Sequence, residues 1–330
     1  MSPIHECLVR QLMDGRSHSG EARDKGAGQT RAAVWKQVRK LEDWGLEVIA
    51  ERGKGYRLEF PIELLDAQQL TRDFREMGIC DLDQVEIFTE LDSTNQYLAK
   101  NRPQRSNAMR ICCAEYQSAG RGRRMRNWSA PFGSGVFMSC AWSFDTSPAE
   151  LASLSLVTGV AAARAIQSVC GLDIELKWPN DLVVNERKLG GILVESTAES
   201  HGACHVIIGI GVNVSVSDDL LSKVSDWRDG AIDLRTANSG KVPSRNALVF
   251  ALACELGKCL SAWERDGNGA YLQEWRSRDY LSDRPVKLIN VSTPIIGHAR
   301  GIADDGALLI EDESGAISSI RAGEVSVRIQ

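Results

Sequence analysis

Gly120-Arg121-Gly122-Arg123-Arg124, then Lys177-Trp178-Pro179-Asn180-Asp181, then Arg187-Lys188-Leu189-Gly190-Gly191 are the segments on which the reading of this chain turns. Arg121, Arg123, Arg124 and Arg126 crowd six positions and are spaced by glycine rather than by helix formers. Backbone amides and guanidinium forks can therefore converge on one anion. A merely solvated basic loop would not need the glycines. The pattern indicates a site for a phosphate-bearing ligand, although neither a Walker sequence nor a dinucleotide fingerprint is present.

The 330 residues suffice for two or three domains, each with its own core. Net charge is −5, divided unevenly: +2 before Pro61 and −7 from there on. That asymmetry fits a nucleic-acid-facing front module, and equally chance variation between domains. Nine cysteines form no C-x-x-C pair and no metal-ligand spacing, and most sit in apolar surroundings. They read as reduced core residues of a cytoplasmic protein rather than as disulfides or a zinc site. With no basic-plus-apolar leader and no apolar run near ~18 residues, neither export nor a membrane span is expected.

Upstream of the basic loop, Ile4, Leu8 and Leu12 recur at helical spacing. Thr30 is the candidate N-cap of a second helix in which Val38 and Leu41 can face a core while Arg31, Trp35, Lys36 and Arg39 face out. A strand over 46–50, a turn at Gly53-Lys54-Gly55 and a return over 56–60 make a hairpin. Together these are the outline of a winged helix-turn-helix with a basic recognition face of Thr30, Arg31, Trp35, Lys36 and Arg39. The other reading is a small helical domain that binds no DNA.

From Asp66 the pattern becomes strands alternating with helices, the mark of an α/β domain. Strands are expected over 85–89, 109–116, 135–144, 174–177, 182–184, 191–195 and 205–214. One helix opens on the capping box Ser147-Pro148-Ala149-Glu150 and stops at Gly171; another runs from Ser244 to about Gly267. Beyond Asp283 only short strands follow, over 286–289, 295–299, 308–310 and 325–329, with turns at Asp305-Gly306 and Ser314-Gly315. They suggest a small terminal β-barrel. The division expected is 1–62, 66–280 and 281–330.

In order and interval, Leu91-Asp92-Ser93-Thr94-Asn95, the stretch 114–124, Lys177 to Leu182, Arg187 to Glu195 and Gly209-Ile210-Gly211-Val212-Asn213-Val214 resemble the motifs of bifunctional biotin protein ligases that also repress the biotin operon. The likeness extends to His18-Ser19-Gly20-Glu21, Asp43-Trp44-Gly45 and Gly53-Lys54-Gly55-Tyr56 in front, and to Arg284-Pro285-Val286-Lys287-Leu288 behind. It implies an α+β (α/β) multidomain fold: a winged helix-turn-helix, a central mixed-sheet domain of the biotin/lipoate ligase type, and an SH3-like β-barrel. It implies too that ATP and Mg2+ activate biotin to biotinyl-5'-AMP, which is passed to a lysine of a biotin carboxyl carrier protein. Operator DNA and a homodimer complete the implied partners.

Residue by residue, the resemblance puts biotin against Ser93, Thr94, Asn95, Gln117, Arg121, Gly122, Arg123 and Lys188. It puts the nucleotide against Arg121, Arg124, Trp128, Asn180 and Asn213. Arg123, Lys188 and Asp181 are the catalytic candidates: joining a carboxylate to an α-phosphate needs fixed positive charge, and Asp181 stands ready for the proton of the attacking lysine. No metal ligand is assigned beyond Asn180-Asp181 and Asn213 as organisers of magnesium or nucleotide. Met125 stands where a glycine is common, and Arg23 and Ala27 where larger apolar residues are. A ligase without specific operator binding, a lipoate ligase and a biotin sensor without activity are the competing readings. Dimer contacts are expected on an exposed sheet edge near Lys177–Val184 or His205–Val214.

Overall fold

The computed structural model describes residues 11–18, 39, 41–77, 82–102, 108–144, 150–198, 204–222, 227, 230–289, 295–321 and 326–329. The expected recognition helix falls mostly outside them, and with it Thr30, Arg31, Trp35 and Lys36, as do Arg23 and Ala27. Arg39 is described: it is exposed, 3.8 Å from Glu42. The wing is present as β1 (Val48–Glu51) and β2 (Gly55–Leu58), an antiparallel hairpin turned through left-handed Gly53 and Gly55. His18 bridges to Tyr56 at its edge.

Leu12, Leu41, Trp44, Leu46 and Leu58 bury themselves together, and the sixth member of that cluster is Phe132, from the segment just after the basic loop. Trp44 stacks on Phe132 at 5.0 Å and 14°, a contact worth about 0.5–1.5 kcal/mol beyond area burial. Behind it the chain is stapled at Glu63 to Leu65. Arg245 pairs with Glu115 at 2.7 Å in full burial and also donates to Glu63 O and Gly135 O, while Leu65 N donates to Glu115 Oε1. Deleting either charge would strand the other, at about 3–5 kcal/mol.

The central sheet comprises β3 (Leu82–Leu91), β4 (Met109–Gln117), β5 (Gly135–Phe144), β6 (Glu175–Lys177), β7 (Asp181–Val184), β8 (Arg187–Ala198) and β9 (Cys204–Asn213). Its order is β3-β4-β5-β9-β8-β7-β6, and only β3 and β4 run parallel. β5 is central and buried along its whole length, which is why its sequence is a nearly unbroken apolar run. Val136, Met138, Cys140, Trp142 and Phe144 belong to the large core with helices α3 (Leu154–Cys170) and α4 (Arg245–Asp266). Ala141 belongs to a smaller cluster with Leu98 of α2 (Thr94–Lys100). α1 (Ala67–Glu76) and α5 (Gly269–Ser277) add to the larger layer through Leu70, Phe74, Leu272 and Trp275.

Helix ends follow the sequence signals. Gly171 caps α3 in the left-handed conformation, Ser244 caps α4 by accepting from Ala247 N, and Gly267 ends it. Positions 147–149 of the expected capping box lie outside the described residues; a 3-10 turn over Glu150–Ser153 leads into α3. Leu151–Cys170 is long and apolar enough to cross a membrane, but most of it is buried in the core. The seven described cysteines are free thiols; burial pushes them up, Cys113 to about 12.

Two expectations about sheet edges are corrected. His205–Val214 is not an edge, because β9 lies between β5 and β8. β6 is the last strand, but Leu176 N donates to Arg278 O and Tyr280 N to Leu176 O, so that edge is bridged. The mark of burial in a strand is side-chain pattern, which carries no information on neighbour order.

The C-terminal sheet has the order β13 (Ile317–Ile320), β12 (Leu308–Glu311), β11 (Ile296–Ile302), β10 (Pro285–Ile289), β14 (Ser326–Ile329), all antiparallel. A register shift between Ala299 and Ile302 coincides with left-handed Gly301, and the two expected turns contain left-handed Gly306 and Gly315. The end strands β13 and β14 are not paired with each other among the described residues. Trp178 Nε1 donates to Gly306 O at 3.0 Å, joining this sheet to the Lys177–Asp181 segment.

Candidate active site

A cavity of about 220 Å³ opens over the ends of β4, β5, β9, β8 and β7, and the three sequence segments quoted first all line it. The basic loop folds on itself: Trp128 N donates to Gly120 O and Gly122 N to Arg126 O, both at 2.8 Å. A Cβ at Gly120 would lie 2.4 Å from Trp128 O, so that glycine is required by the loop's own closure. A Cβ at Gly122 would make only ordinary contact, its nearest neighbour Arg126 O at 3.7 Å. Arg124 and Met125 both adopt φ near 58°, a left-handed pair without glycine, and Met125 is exposed.

Trp128 follows the loop and lies on the glycines of β8 and β9. A Cβ at Gly211 would be 2.7 Å from its ring and one at Gly191 3.6 Å, so the second glycine of the β9 Gly-x-Gly leaves room for the indole. The indole nitrogen is buried with no hydrogen-bond partner in the protein, and Lys188 Nζ stands 5.9 Å from the ring. Arg121 Nε is likewise buried without a partner. Buried donors of this kind normally find an acceptor, here in whatever fills the cavity.

The opposite wall is polar. Ser93 caps α2, and its successors Thr94 and Asn95 are buried at the helix start. Thr94 N donates to Gln117 Oε1 at 2.9 Å, Asn95 Nδ2 to Glu195 Oε2 at 2.8 Å, and Ser139 Oγ stands 2.6 Å from both Thr94 Oγ1 and Asn95 Oδ1. The cap and the site are one feature: Asp-Ser-Thr-Asn starts the helix and presents its side chains to the cavity.

Between the walls lie the charges. Lys188 Nζ is 2.6 Å from Asp181 Oδ1, and Arg123 Nη1 donates to Asn180 Oδ1 at 3.4 Å while Asn180 Nδ2 donates to Ile192 O. Burial pushes the Asp181 carboxyl up, but Lys188, Lys177 and Arg123 outweigh it and hold it below the usual carboxylate range. Burial, then Arg124, lowers the Arg123 guanidinium, which still stays charged. Asn213 Nδ2 is committed to Ile232 O.

Every biotin-binding, nucleotide-binding and catalytic candidate expected from the sequence therefore lines this cavity, whereas Arg39, the described DNA-facing candidate, does not. Three that sequence reasoning missed belong with them: Arg328 lines the cavity, and Ser139 and Glu195 stand behind its wall, in contact with Thr94 and Asn95. Ser139 is a fully buried serine in a mostly apolar strand, which is a signal in itself; Glu195 ends the Leu189–Glu195 run. Arg328 comes from β14, far along the chain, and nothing local marks it. Trp178 is buried in the core at 1 % exposure and also borders the cavity.

The chain matches the Biotin/lipoate A/B protein ligase family over residues 87–213, the biotin protein ligase C-terminal domain over 281–328 and a helix-turn-helix domain over 8–57. It is 40% identical to the bifunctional ligase/repressor BirA of Escherichia coli over 97% of this chain and 96% of that protein. Its identity to the protein of the same name from Bacillus spizizenii is 30%, over 94% and 93%. Among solved structures, the biotin protein ligase from Aquifex aeolicus in complex with biotin and ATP superposes with a TM-score of 0.62 at 26% identity, covering 74% of this chain and 99% of that one. The chain belongs to the Biotin/lipoate A/B protein ligase family, among its bifunctional ligase/repressors.

Proposed function

We propose that this protein is a biotin protein ligase that also represses transcription in response to biotin. The observation that carries the reading is the cavity itself: a polar wall, an arginine loop and the Lys188–Asp181 pair face one space. A carboxylate oxygen of biotin attacks the α-phosphorus of ATP, pyrophosphate leaves, and biotinyl-5'-AMP results. The amine of a carrier-protein lysine then attacks the acyl carbon and AMP leaves.

In this reading Ser93, Thr94, Asn95 and Gln117 hold the polar head of biotin, with Gly122 leaving room beside it. Arg121, Arg123 and Lys188 offset the charge of carboxylate and α-phosphate as they approach. Arg124, Trp128, Asn180 and Asn213 serve the nucleotide. Asp181, depressed in pKa, is too weak a base at rest to deprotonate an ammonium; it orients Lys188 and attracts the incoming lysine. Among the described residues no three His, Cys, Asp or Glu side chains come together. A divalent ion would therefore rest on Asp181, Asn180 and substrate phosphates, a donor set that suits Mg2+, which would shield the departing pyrophosphate.

The division into 1–62, 66–280 and 281–330 belongs to the same proposal, with Thr30, Arg31, Trp35, Lys36 and Arg39 facing operator DNA. So do a homodimer matched to a two-fold operator and a cytoplasmic location. The deciding experiment is the intact mass of an apo biotin carboxyl carrier domain after incubation with the protein, magnesium, ATP and either biotin or lipoate. An ATP-dependent biotin adduct, lost in Lys188→Ala, is expected. A lipoate adduct would make the protein a lipoate ligase, and none with either acid would leave a sensor. Salt-dependent binding to the DNA upstream of biotin-synthesis genes, absent for unrelated DNA, tests the repressor.

A further inference from the structure

The polar wall of the cavity is one directed chain of hydrogen bonds that ends on a carboxylate. Asn95 Nδ2 stands 2.8 Å from Glu195 Oε2 and 3.4 Å from Leu193 O. A carboxylate and a carbonyl can only accept, so the Asn95 amide has a single orientation, nitrogen toward Glu195 and Oδ1 toward Ser139. Ser139, fully buried, has one proton and two oxygens at 2.6 Å, Asn95 Oδ1 and Thr94 Oγ1. The amide oxygen cannot donate, so it takes that proton. Thr94 then has two acceptors for its own single proton, Ser139 Oγ and, at 3.2 Å, Gln117 Oε1. Whichever it serves, Thr94 offers a lone pair to the cavity. Gly209 protects the arrangement, since a Cβ there would stand 2.4 Å from Asn95 Oδ1.

We propose that Glu195 is a specificity-determining positioning residue. Its carboxylate sets the hydrogen-bond polarity of the Asn95–Ser139–Thr94 wall, so that the wall accepts from a ligand's N–H groups. Head groups that carry N–H donors, as a ureido ring does, are selected over those that carry none, as a dithiolane. The inference rests on the ligase reading above and deepens it. Glu195 Oε1 also lies 3.8 Å from Arg121 Nη2, so an effect through the basic loop must be separated from an effect through Asn95.

Glu195→Gln keeps the shape but brings a donor to Asn95 and frees the amide to turn over. Steady-state pyrophosphate release by the full chain, with apo carrier domain as acceptor, is measured with biotin and with lipoate. The KM for biotin rises about tenfold or more, the scale of one misdirected buried hydrogen bond. The KM for ATP and kcat change less than about twofold, and the preference for biotin over lipoate falls with the biotin term. Glu195→Asp, which keeps an ionised acceptor, recovers most of the loss. Ser139→Ala cuts the relay away from Arg121 and must also raise the biotin KM without raising that for ATP. An unchanged biotin KM in folded Glu195→Gln overturns the proposal, as does an equal rise for biotin and ATP, which would mean action through Arg121. A wild-type protein that releases no pyrophosphate with biotin overturns the ligase reading itself.

Discussion

Lys188 Nζ and Asp181 Oδ1 approach to 2.6 Å across neighbouring strands, where a register shift between Leu182 and Val183 breaks the regular ladder. Two sequence segments that look separate thus become one ion pair at the centre of the cavity. Removing the carboxylate leaves the lysine poorly aimed. Asp181→Asn is expected to slow adenylate formation about 10²-fold, the scale of a lost electrostatic contact, and to slow transfer from pre-made adenylate as well. Because the Asp181 pKa is depressed, its stabilising contribution is present above the ordinary value of 3.8 and lost only as pH falls below it. The wild-type rate profile near neutrality therefore carries no inflection from this group; rapid-quench assays across pH check both points.

Arg123 closes the cavity over the Asn180 side. With Arg123→Gly the adenylate should escape and acylate exposed lysines at large. Mass spectrometry of a bystander protein mixed with enzyme, biotin and ATP is expected to find biotin on several of its lysines. Modification confined to the carrier lysine would remove Arg123 as the clamp.

Gly211 seats the Trp128 indole. Gly211→Ala places a methyl group 2.7 Å from that ring, which must lift, while the strand backbone needs no left-handed angle there. The KM for ATP should rise about tenfold with little change in thermal stability, because the clash falls on a cavity wall rather than in the core. An unaltered KM would mean that the nucleotide does not lean on Trp128.

Asp279 sits where Leu176 of β6 is bridged, its carboxyl pushed up by burial, and further by Asp283, to about 6; one oxygen is buried without a hydrogen-bond partner. The raised value means that the folded state favours the protonated form. Its contribution is fully present below 3.8 and is lost as pH rises through about 6. Asp279→Asn should therefore stabilise the protein at pH 8 by on the order of 2–3 kcal/mol and flatten the dependence between those limits. Urea unfolding at several pH values is the check; equal stability of both proteins at pH 8 would refute it.

Much of the fold was legible because strong local signals coincide with physical necessities. β5 begins and ends where its apolar run does, and α4 is bounded by Ser244 and Gly267 as capping chemistry requires. Other elements were not. α1 buries only Leu70 and Phe74, too sparse a stripe to stand out, and α2 hides behind a segment whose polar residues read as site chemistry. β13, Ile-Ser-Ser-Ile, is too short and polar to announce a strand.

By itself the sequence determined which side chains could meet an anion, because glycine spacing and guanidinium chemistry act over a few positions; the residues expected against a ureido group came from the resemblance to biotin ligases. Tertiary structure alone decided that Glu195 aims Asn95, that Arg328 of the last strand enters the cavity, that Phe132 stacks on Trp44 and that β9 is central rather than an edge. Those relationships join residues about 90 positions apart or more, or depend on strand order, and they arise from packing, which periodicity along the chain does not encode.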